Sequence, residues 1–148
     1  MISYSQVRGQ RVLSQADAQL VGSVRRLLLD PATVAVNAAQ LEGVIGDETI
    51  LPWNAVVAVG PDALMVESAD VLRAPDTELG ERIERGIYDL EGKQILSDRG
   101  DSLGQLEDID FDETSGRVTH LRVPGHSLPL ERFVSIGPQT VIVPALPL

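Results

Sequence analysis

The stretch Gly92-Lys93-Gln94-Ile95-Leu96-Ser97 matches an earlier stretch, Gly9-Gln10-Arg11-Val12-Leu13-Ser14, at an offset of 83 residues. The correspondence continues at an offset of 82, and the offset becomes 77 after a loop that is five residues longer in the first copy. The matched pairs include Gly22/Gly104, Leu27/Ile109, Asp30/Asp112, Leu51/Leu128 and Gly60/Gly137. Because the changes of offset fall at expected turns and apolar positions stay apolar, the chain is predicted to contain two copies of one unit.

Each copy consists of short aliphatic or β-branched runs separated by Gly, Asp and Pro turns, a pattern typical of a small barrel or sandwich. Aromatic residues are only 3% of the sequence, so Val, Leu, Ile and Ala must build the core. In the first copy the predicted strands lie near residues 10–13, 22–29, 34–41, 56–59 and 63–67. We therefore expect a mainly all-β fold made of two tandem small β-barrels.

Apolar residues in two strands of each copy are spaced three and then two positions apart, where strict alternation would place them two apart. The first such strand contains Val24, Leu27 and Leu29, with the counterparts Leu106, Ile109 and Phe111. The second contains Val36, Ala39 and Leu41, with the counterparts Val118, Leu121 and Val123. An extra residue at the same place in both copies indicates a β-bulge, which bends a strand around a small barrel.

The two copies are predicted at residues 1–68 and 88–148, joined by a linker at 69–87 with a short helix. Asp76 is a predicted N-cap of that helix, and Gly86 marks its end. The helix is further supported by the i,i+4 pairs Glu78/Arg82 and Glu81/Arg85 and by an apolar stripe of Leu79 and Ile83. Since units of about 60 residues bury little core alone, the copies should share an interface, within one chain or across a dimer.

The composition limits the classes of partner and compartment. The formal net charge is −10, and a field of that sign repels phosphate backbones, so we expect no direct binding of nucleic acid. The absence of cysteine excludes disulfides and thiolate catalysis and agrees with a reducing compartment. The first residues lack a signal-peptide core, and no run reaches the length of about 18 apolar residues that a spanning helix needs. We therefore expect a cytoplasmic protein without membrane insertion.

One stretch, Gly125-His126-Ser127-Leu128-Pro129, is similar to a nucleophile elbow, but Pro129 stands where the second glycine is required. The repeat assigns this stretch to a loop that runs into a short strand, which does not suit a catalytic serine. His120 and His126, the only histidines, have no predicted joint role. Because no convergent set of acid, base and nucleophile is visible, we expect no enzymatic activity and no cofactor.

Asp108, Asp110 and Asp112 resemble the start of a calcium-binding loop. However, Glu113 and Thr119 occupy the positions where an EF-hand needs Gly and Glu. Same-face neighbours on a strand also stand about 7 Å apart, too far for all three carboxylates to bind one ion. The favoured interpretation is a solvated acidic face without a metal.

The two copies contrast in charge at the bulged strand. Arg25-Arg26 of the first copy correspond to Glu107-Asp108 of the second, and Leu28 corresponds to Asp110. Either these are unrelated solvated faces, or they are complementary surfaces that pack copy to copy or chain to chain, with opposite potentials fixing the orientation.

Trp53 is the only tryptophan, and it aligns with Leu130 of the second copy. It either caps its barrel or is an exposed anchor of the kind that dominates interfaces. The candidate interface residues are therefore Arg25, Arg26, Leu28, Trp53, Glu107, Asp108 and Asp110.

Several of the repeated motifs together resemble the PRC-barrel domain. They are Gly92-Lys93, Ser97-Asp98, Gly100, Leu103-Gly104, Asp108-Ile109-Asp110-Phe111-Asp112, Thr114-Ser115-Gly116 and Leu128-Pro129-Leu130. The resemblance is good over residues 88–144. The first copy departs from the family pattern at Ala16-Asp17-Ala18-Gln19, which replaces a glycine-containing hairpin, and at Ala38-Ala39.

The family includes the cytoplasmic part of the photosynthetic reaction-centre H subunit and the C-terminal domain of the ribosome maturation factor RimM, whose barrels dock other proteins. The resemblance implies a binding module with no catalytic residues to carry over. We expect a non-catalytic adaptor that binds an unidentified protein partner or forms a homodimer. The alternative is a ribosome-assembly factor of RimM-like action, which binds a basic ribosomal protein through its acidic surface.

Overall fold

The computed structural model describes residues 1–145, and it confirms the predicted mainly β fold. The elements of the first repeat are β1 (Ile2–Ser3), α1 (Tyr4–Val7), β2 (Arg11–Ser14), β3 (Leu20–Asp30), β4 (Ala35–Glu42), β5 (Ile50–Pro52), β6 (Val56–Val59) and β7 (Leu64–Val66). Strands β2 to β7 form one sheet in the order β5-β4-β3-β2-β7-β6. Single turns of 3-10 helix lie at Trp53–Ala55 and Ala69–Val71.

The second repeat follows helix α2 (Thr77–Glu84) and has the same order of strands. They are β8 (Gln94–Ser97), β9 (Ser102–Gln105), β10 (Asp108–Phe111), β11 (Val118–Val123), β12 (His126–Pro129), β13 (Ser135–Ile136) and β14 (Thr140–Val143). They form two sheets, β13-β14-β8-β9 and β1-β10-β11-β12. The strand that begins the repeated pattern pairs in parallel with the last strand of the same repeat. These pairs are β2 with β7 and β8 with β14, so the repeats share one topology.

The irregular spacing of apolar residues corresponds to breaks in the strand register. Arg25 in β3 is skipped in the pairing with β4, and Asn37 in β4 is skipped in the pairing with β3. Thr119, the counterpart of Asn37, is skipped in the same way where β11 pairs with β10. At Glu107, the counterpart of Arg25, the second repeat interrupts the strand between β9 and β10. The predicted bulges are therefore confirmed, and in one case the extra residue ends a strand instead of bending it.

The linker helix begins and ends where the sequence predicts. The Asp76 carboxylate accepts a hydrogen bond from the Leu79 amide at 2.7 Å, which satisfies one free donor of the first turn. Gly86 follows the helix with a φ of 76°, a backbone conformation that glycine adopts without steric cost. Neither α2 nor any other helix within residues 1–145 has the length and apolarity needed to cross a membrane.

One face of α2 covers the outer side of the first sheet. Leu79 and Ile83 pack against a small apolar cluster that contains Leu28, Ala38, Ile50 and Tyr88. Arg82 and Glu78 form the predicted ion pair at 2.7 Å, whereas Glu81 and Arg85 form no ion pair with each other in the described chain. The linker is thus a packed part of the fold.

Two backbone hydrogen bonds between the repeats form a reciprocal pair. Val36 donates its N–H to the carbonyl of Gly116 at 2.7 Å, and Val118 donates its N–H to the carbonyl of Val34 at 2.8 Å. At an offset of 82, Val118 is the counterpart of Val36 and Gly116 is that of Val34, so each contact is repeated with the two copies exchanged. Such reciprocity is the property of a two-fold interface. The repeats therefore pack like the subunits of a symmetric dimer, within one chain.

The two repeats also share one hydrophobic core. A single cluster of buried side chains contains Val24, Leu27 and Leu51 of the first repeat together with Ile109 and Phe111 of the second. In addition, β1 leaves its own repeat and pairs antiparallel with β10 of the other. The copies are consequently two halves of one packed unit.

Candidate functional site: the cleft between the repeats

A cleft of about 610 Å³ lies between the two repeats, and we call it the inter-repeat cleft. The first repeat contributes basic and hydroxyl side chains, and the second contributes carboxylates. Its charged and hydroxyl lining residues are Tyr4, Ser5, Arg8, Arg25, Arg26, Asp89, Glu91, Glu107 and Asp108. Four of the seven candidate interface residues therefore line one cavity.

Two ion pairs cross the cleft from the basic wall to the acidic wall. Arg8 and Glu91, which are counterparts at an offset of 83, lie 3.0 Å apart with both side chains largely exposed. Arg26 Nε lies 3.1 Å from Asp89 Oδ1, although its N–H does not point at that oxygen. The guanidinium of Arg26 is also held by a hydrogen bond from its Nη1 to Gln40 Oε1 at 2.9 Å. Arg26 is thus fixed in the cleft wall.

Arg25 and Glu107 differ from these pairs because they are exposed and form no ion pair with any residue within 1–145. Arg25 is the residue that the pairing of β3 with β4 skips, and its counterpart Glu107 lies between β9 and β10. Arg25 and Glu107 are therefore the exposed charges of the inter-repeat cleft that no ion pair within residues 1–145 neutralises.

Asp108 also lies in the cleft, where it is held by the first repeat. Its carboxylate accepts hydrogen bonds from the backbone N–H of Ser5 at 3.1 Å and from the Ser5 hydroxyl. The Ile109 N–H donates to the same carboxylate at 2.8 Å. Asp108 is consequently a link between α1 and β10.

The predicted solvated row of aspartates is wrong for Asp110. This side chain is only 9% exposed, and Arg122 binds it with both Nε at 2.9 Å and Nη2 at 2.6 Å. Asp112 accepts hydrogen bonds from Ser115 and Thr114, and those bonds, the Ser115 amide first, lower the pKa of its carboxyl. Each aspartate therefore has its own protein donors, and the row does not act as one acidic face.

Tyr4 lines the inter-repeat cleft, and no pattern in the sequence predicted this role. Its hydroxyl accepts a hydrogen bond from the backbone N–H of Leu27 at 2.9 Å, on the side of β3 that faces away from β4. Burial raises the pKa of the Tyr4 hydroxyl, so it stays protonated at neutral pH. The residue connects the N-terminal segment to the central strand of the first repeat.

Two candidate interface residues are covered by the chain itself. Leu28 is buried against Tyr88 and the linker helix. Trp53 is 4% exposed, packs edge-on against Phe111 with ring centroids 5.5 Å apart, and donates its indole N–H to the Glu113 carbonyl at 2.9 Å. The alternative of Trp53 as an exposed anchor is therefore wrong, because its surface is used by the second repeat.

The fold places the two histidines and Ser127 of the elbow-like stretch in two strands, β11 and β12. His126 and Ser127 are exposed in β12, on a hairpin that follows Gly125. His120 lies in β11, where its Nδ1 is 3.1 Å from the Thr119 hydroxyl. Among the residues described, no group of three or more His, Asp or Glu side chains is arranged to hold a metal ion.

Lys93 is a buried cation that sequence reasoning missed. It is the only lysine in the sequence, it is 5% exposed, and its Nζ donates to the carbonyls of Gly86 at 2.8 Å and Ile87 at 2.6 Å. Burial lowers the pKa of its ammonium group to about 8. The sequence does contain one signal for this role, because Lys93 in the motif Gly92-Lys93 corresponds to the uncharged Gln10 of the first repeat.

The fold and the cleft together define a class of protein: a duplicated, mainly β chain whose two halves interlock around a charged cavity. The sequence model of the PRC-barrel domain matches residues 1–73 and, a second time, residues 82–147. The chain therefore belongs to the PRC-barrel domain family and carries the domain twice. Comparison with curated proteins gives no match.

Proposed function

We propose that this tandem PRC-barrel protein is a non-catalytic adaptor that binds a partner protein at the inter-repeat cleft. The observation that carries the proposal is the pair of exposed charges, Arg25 and Glu107, on opposite walls of a cavity of about 610 Å³. A cleft with one basic and one acidic wall suits a partner surface that carries both signs of charge. Opposite potentials of this kind mainly set the orientation and the association rate of a complex.

The interlocking of the repeats supports the same proposal. Arg8–Glu91 and Arg26–Asp89 already tie the walls together, so the cleft is preformed and a partner need not order it. Preorganised sites bind more tightly because less entropy is lost on association. The cytoplasmic location and the homodimer stay predictions from the sequence.

Affinity capture with the intact protein and with charge-reversed variants tests the proposal. We expect R25E and E107R each to weaken capture of the partner, with an affinity loss of roughly twofold to fivefold, because exposed charges contribute about 1 kcal/mol or less each. The matched controls are R11E and E131R, which make the same charge changes at exposed positions outside the cleft. Equal capture by all four variants would show that the cleft is not the binding site.

The ribosome-assembly alternative is favoured by one observation, the net charge of −10, which attracts basic ribosomal proteins. The same capture experiment separates the two functions. Recovery of ribosomal subunits or of one basic ribosomal protein supports assembly, and recovery of another protein supports the adaptor. A purified protein that turns over a substrate contradicts both.

A further inference from the structure

The outer face of the first sheet carries a row of apolar side chains that crosses four strands. Leu20 of β3 lies opposite Leu13 of β2. Leu13 in turn lies opposite Met65 of β7, and Met65 lies opposite Ala58 of β6. Residues directly opposite each other in neighbouring strands present their side chains on the same face of a sheet. The residues before and after Leu13 and Met65 in their strands are buried, so the row faces away from the core.

A bulge in β6 adds a fifth apolar side chain to this face. Val57 is skipped in the pairing of β6 with β7, which breaks the alternation of faces along the strand. Val57 and Ala58 are therefore both exposed, whereas the residues on either side of them, Val56 and Val59, pack against the core. We call the five outward side chains the outer apolar patch: Leu13, Leu20, Val57, Ala58 and Met65.

The outer apolar patch is accessible to another molecule. Leu20 is 63% exposed and Val57 is 55% exposed. Ala58 is also exposed, and Leu13 and Met65 are half-buried. Within residues 1–145, none of the five belongs to a buried cluster or packs against one, and the linker helix lies over the other end of this face, at β3, β4 and β5. Isolated exposed apolar residues are ordinary, but a contiguous group of them is typical of an interaction surface.

The second repeat does not carry this patch, although its strands pair in the same way. The counterpart row consists of Ser102, Leu96, Ile142 and Ser135. The two central positions are thus apolar in both repeats, whereas the two outer positions, which are exposed in both, are apolar in the first repeat and serine in the second. The shared fold therefore does not require apolar side chains at the outer positions, and their presence in the first repeat needs another cause.

The charge of the chain indicates what can cover the outer apolar patch. Two copies of a chain with a net charge of −10 repel each other wherever their acidic surfaces meet. Residues 49–61, which include Val57 and Ala58, contain no charged residue. A two-fold interface brings the same surface of both copies together, so that surface must complement itself. An uncharged apolar surface does so without placing like charges in contact.

We propose that the outer apolar patch is the interface of a homodimer, in which the patch of one copy packs on the patch of a second. The dimer removes from water apolar side chains that the single chain leaves exposed, and this burial supplies the driving force. None of the described residues that line the inter-repeat cleft belongs to the patch, so the homodimer does not depend on the function proposed for the cleft.

Sedimentation velocity of the intact protein over a concentration series, at physiological ionic strength, measures the dimer. We expect a reversible dimer whose dissociation constant rises at least about tenfold in L20E/A58E, because carboxylates of both copies would be buried without partners. The matched control is S102E/S135E, which adds the same charges at the exposed counterpart positions of the second repeat. This control should change the dissociation constant by less than about twofold, since exposed charges interact weakly.

Thermal midpoints check that the variants are folded. If L20E/A58E is not folded, L20S/A58S replaces it, because it introduces the residues that the second repeat has at these positions, and it should also weaken the dimer. Since the sequence contains no cysteine, a single introduced cysteine gives a second measurement. A short bismaleimide should link A58C into covalent dimers and should leave the control S135C mostly monomeric.

The proposal is overturned by a protein that stays monomeric at every concentration, by a dimer that the patch variants do not weaken, or by equal effects of the patch and control variants. R25E and E107R should leave the dimer intact, so the cleft and the patch are tested separately. A monomeric protein that loses a captured partner in L20E/A58E would overturn the homodimer and assign the patch to that partner.

Discussion

Gly116 lies where the backbones of the two repeats cross, and it is the residue most tightly confined by that contact. A Cβ atom on Gly116 would lie 2.3 Å from the carbonyl oxygen of Val36, far inside contact distance, and the φ of Gly116 is 80°. Its counterpart Val34 also has a positive φ, 56°, which is unusual for a β-branched residue. The crossing therefore holds a strained residue in one repeat and requires glycine in the other.

Gly116→Ala should accordingly destabilise the protein more than a substitution that only strains the backbone. Gly125 is the matched control, because its φ is 77° and nothing lies within 4 Å of its added Cβ. We expect G125A to lower the free energy of unfolding by about 1 to 2 kcal/mol, and G116A by roughly twice as much or more. Urea unfolding of both variants measures the difference. Equal losses would mean that the repeats do not cross at Gly116.

Lys93 should make the free energy of unfolding depend on pH in the alkaline range. Its pKa is about 8 in the folded protein and near 10.5 in the unfolded chain, so between these values the unfolded state binds more protons and stability rises with pH. Below pH 8 the burial of the charged ammonium opposes folding in full. Relative to K93M, the wild-type protein should therefore gain stability from pH 8 to 10, at no more than about 1.4 kcal/mol per pH unit. A difference between the two proteins that is constant over this range would contradict the lowered pKa.

At the scale of elements, the linker helix acts as a cover. It shields Leu28 and Ile50 of the first sheet with Leu79 and Ile83, and its first turn depends on the Asp76 cap. A helix of eight residues is too short to be stable without such contacts. The cap and the packed face therefore stabilise each other.

Removing the cap by Asp76→Ala should cost about 1 kcal/mol, because the Leu79 amide loses its acceptor. Glu84→Ala, an exposed change in the last turn of the same helix, should alter stability by less than about 0.5 kcal/mol. Thermal unfolding followed by circular dichroism compares the two. A cap variant as stable as the control would indicate that the helix is held by its packed face alone.

Local patterns predicted most of the elements but few of the contacts between them. The bulge at Arg25, the register break at Asn37 and the cap at Asp76 depend on near neighbours in sequence, and spacing alone identified them. The position of β1 was not predictable, because two residues carry no strand pattern and their partner lies more than 100 residues away. The contrast between Arg25-Arg26 and Glu107-Asp108 correctly indicated residues of the inter-repeat cleft. Which of these charges form ion pairs was not predictable, because that depends on how the repeats pack.

At the scale of the whole molecule, neither repeat is complete without the other. The first repeat alone would expose Trp53, and the second alone would leave the edge of β10 unpaired. Exposing a buried side chain of this size costs about 1.5 to 3 kcal/mol, against a total stability of roughly 5 to 15 kcal/mol. The two-fold contact is thus part of the stability of both halves.

Expressing residues 1–70 and 74–148 as separate chains tests this dependence. We expect each half to unfold at least 10 °C below the intact protein, or without cooperativity, and the two to associate when mixed, since a loss of a few kilocalories shifts a small domain by that amount. Calorimetry and size-exclusion chromatography measure both effects. Two stable monomers with the midpoint of the intact protein and no mutual affinity would establish that the repeats are independent.

The pairing of β1 with β10 also determines when the fold can be completed during synthesis. Ile2 and Ser3 are synthesised before their partners Asp110 and Phe111, which follow more than 100 residues later. At about 5 to 20 residues per second, Ile2 and Ser3 wait for at least several seconds before they can dock on β10. Throughout that interval the nascent first repeat carries an exposed Trp53 indole and an undocked β1. Because β1 can dock only once β10 has been synthesised, the four-stranded sheet closes late in synthesis.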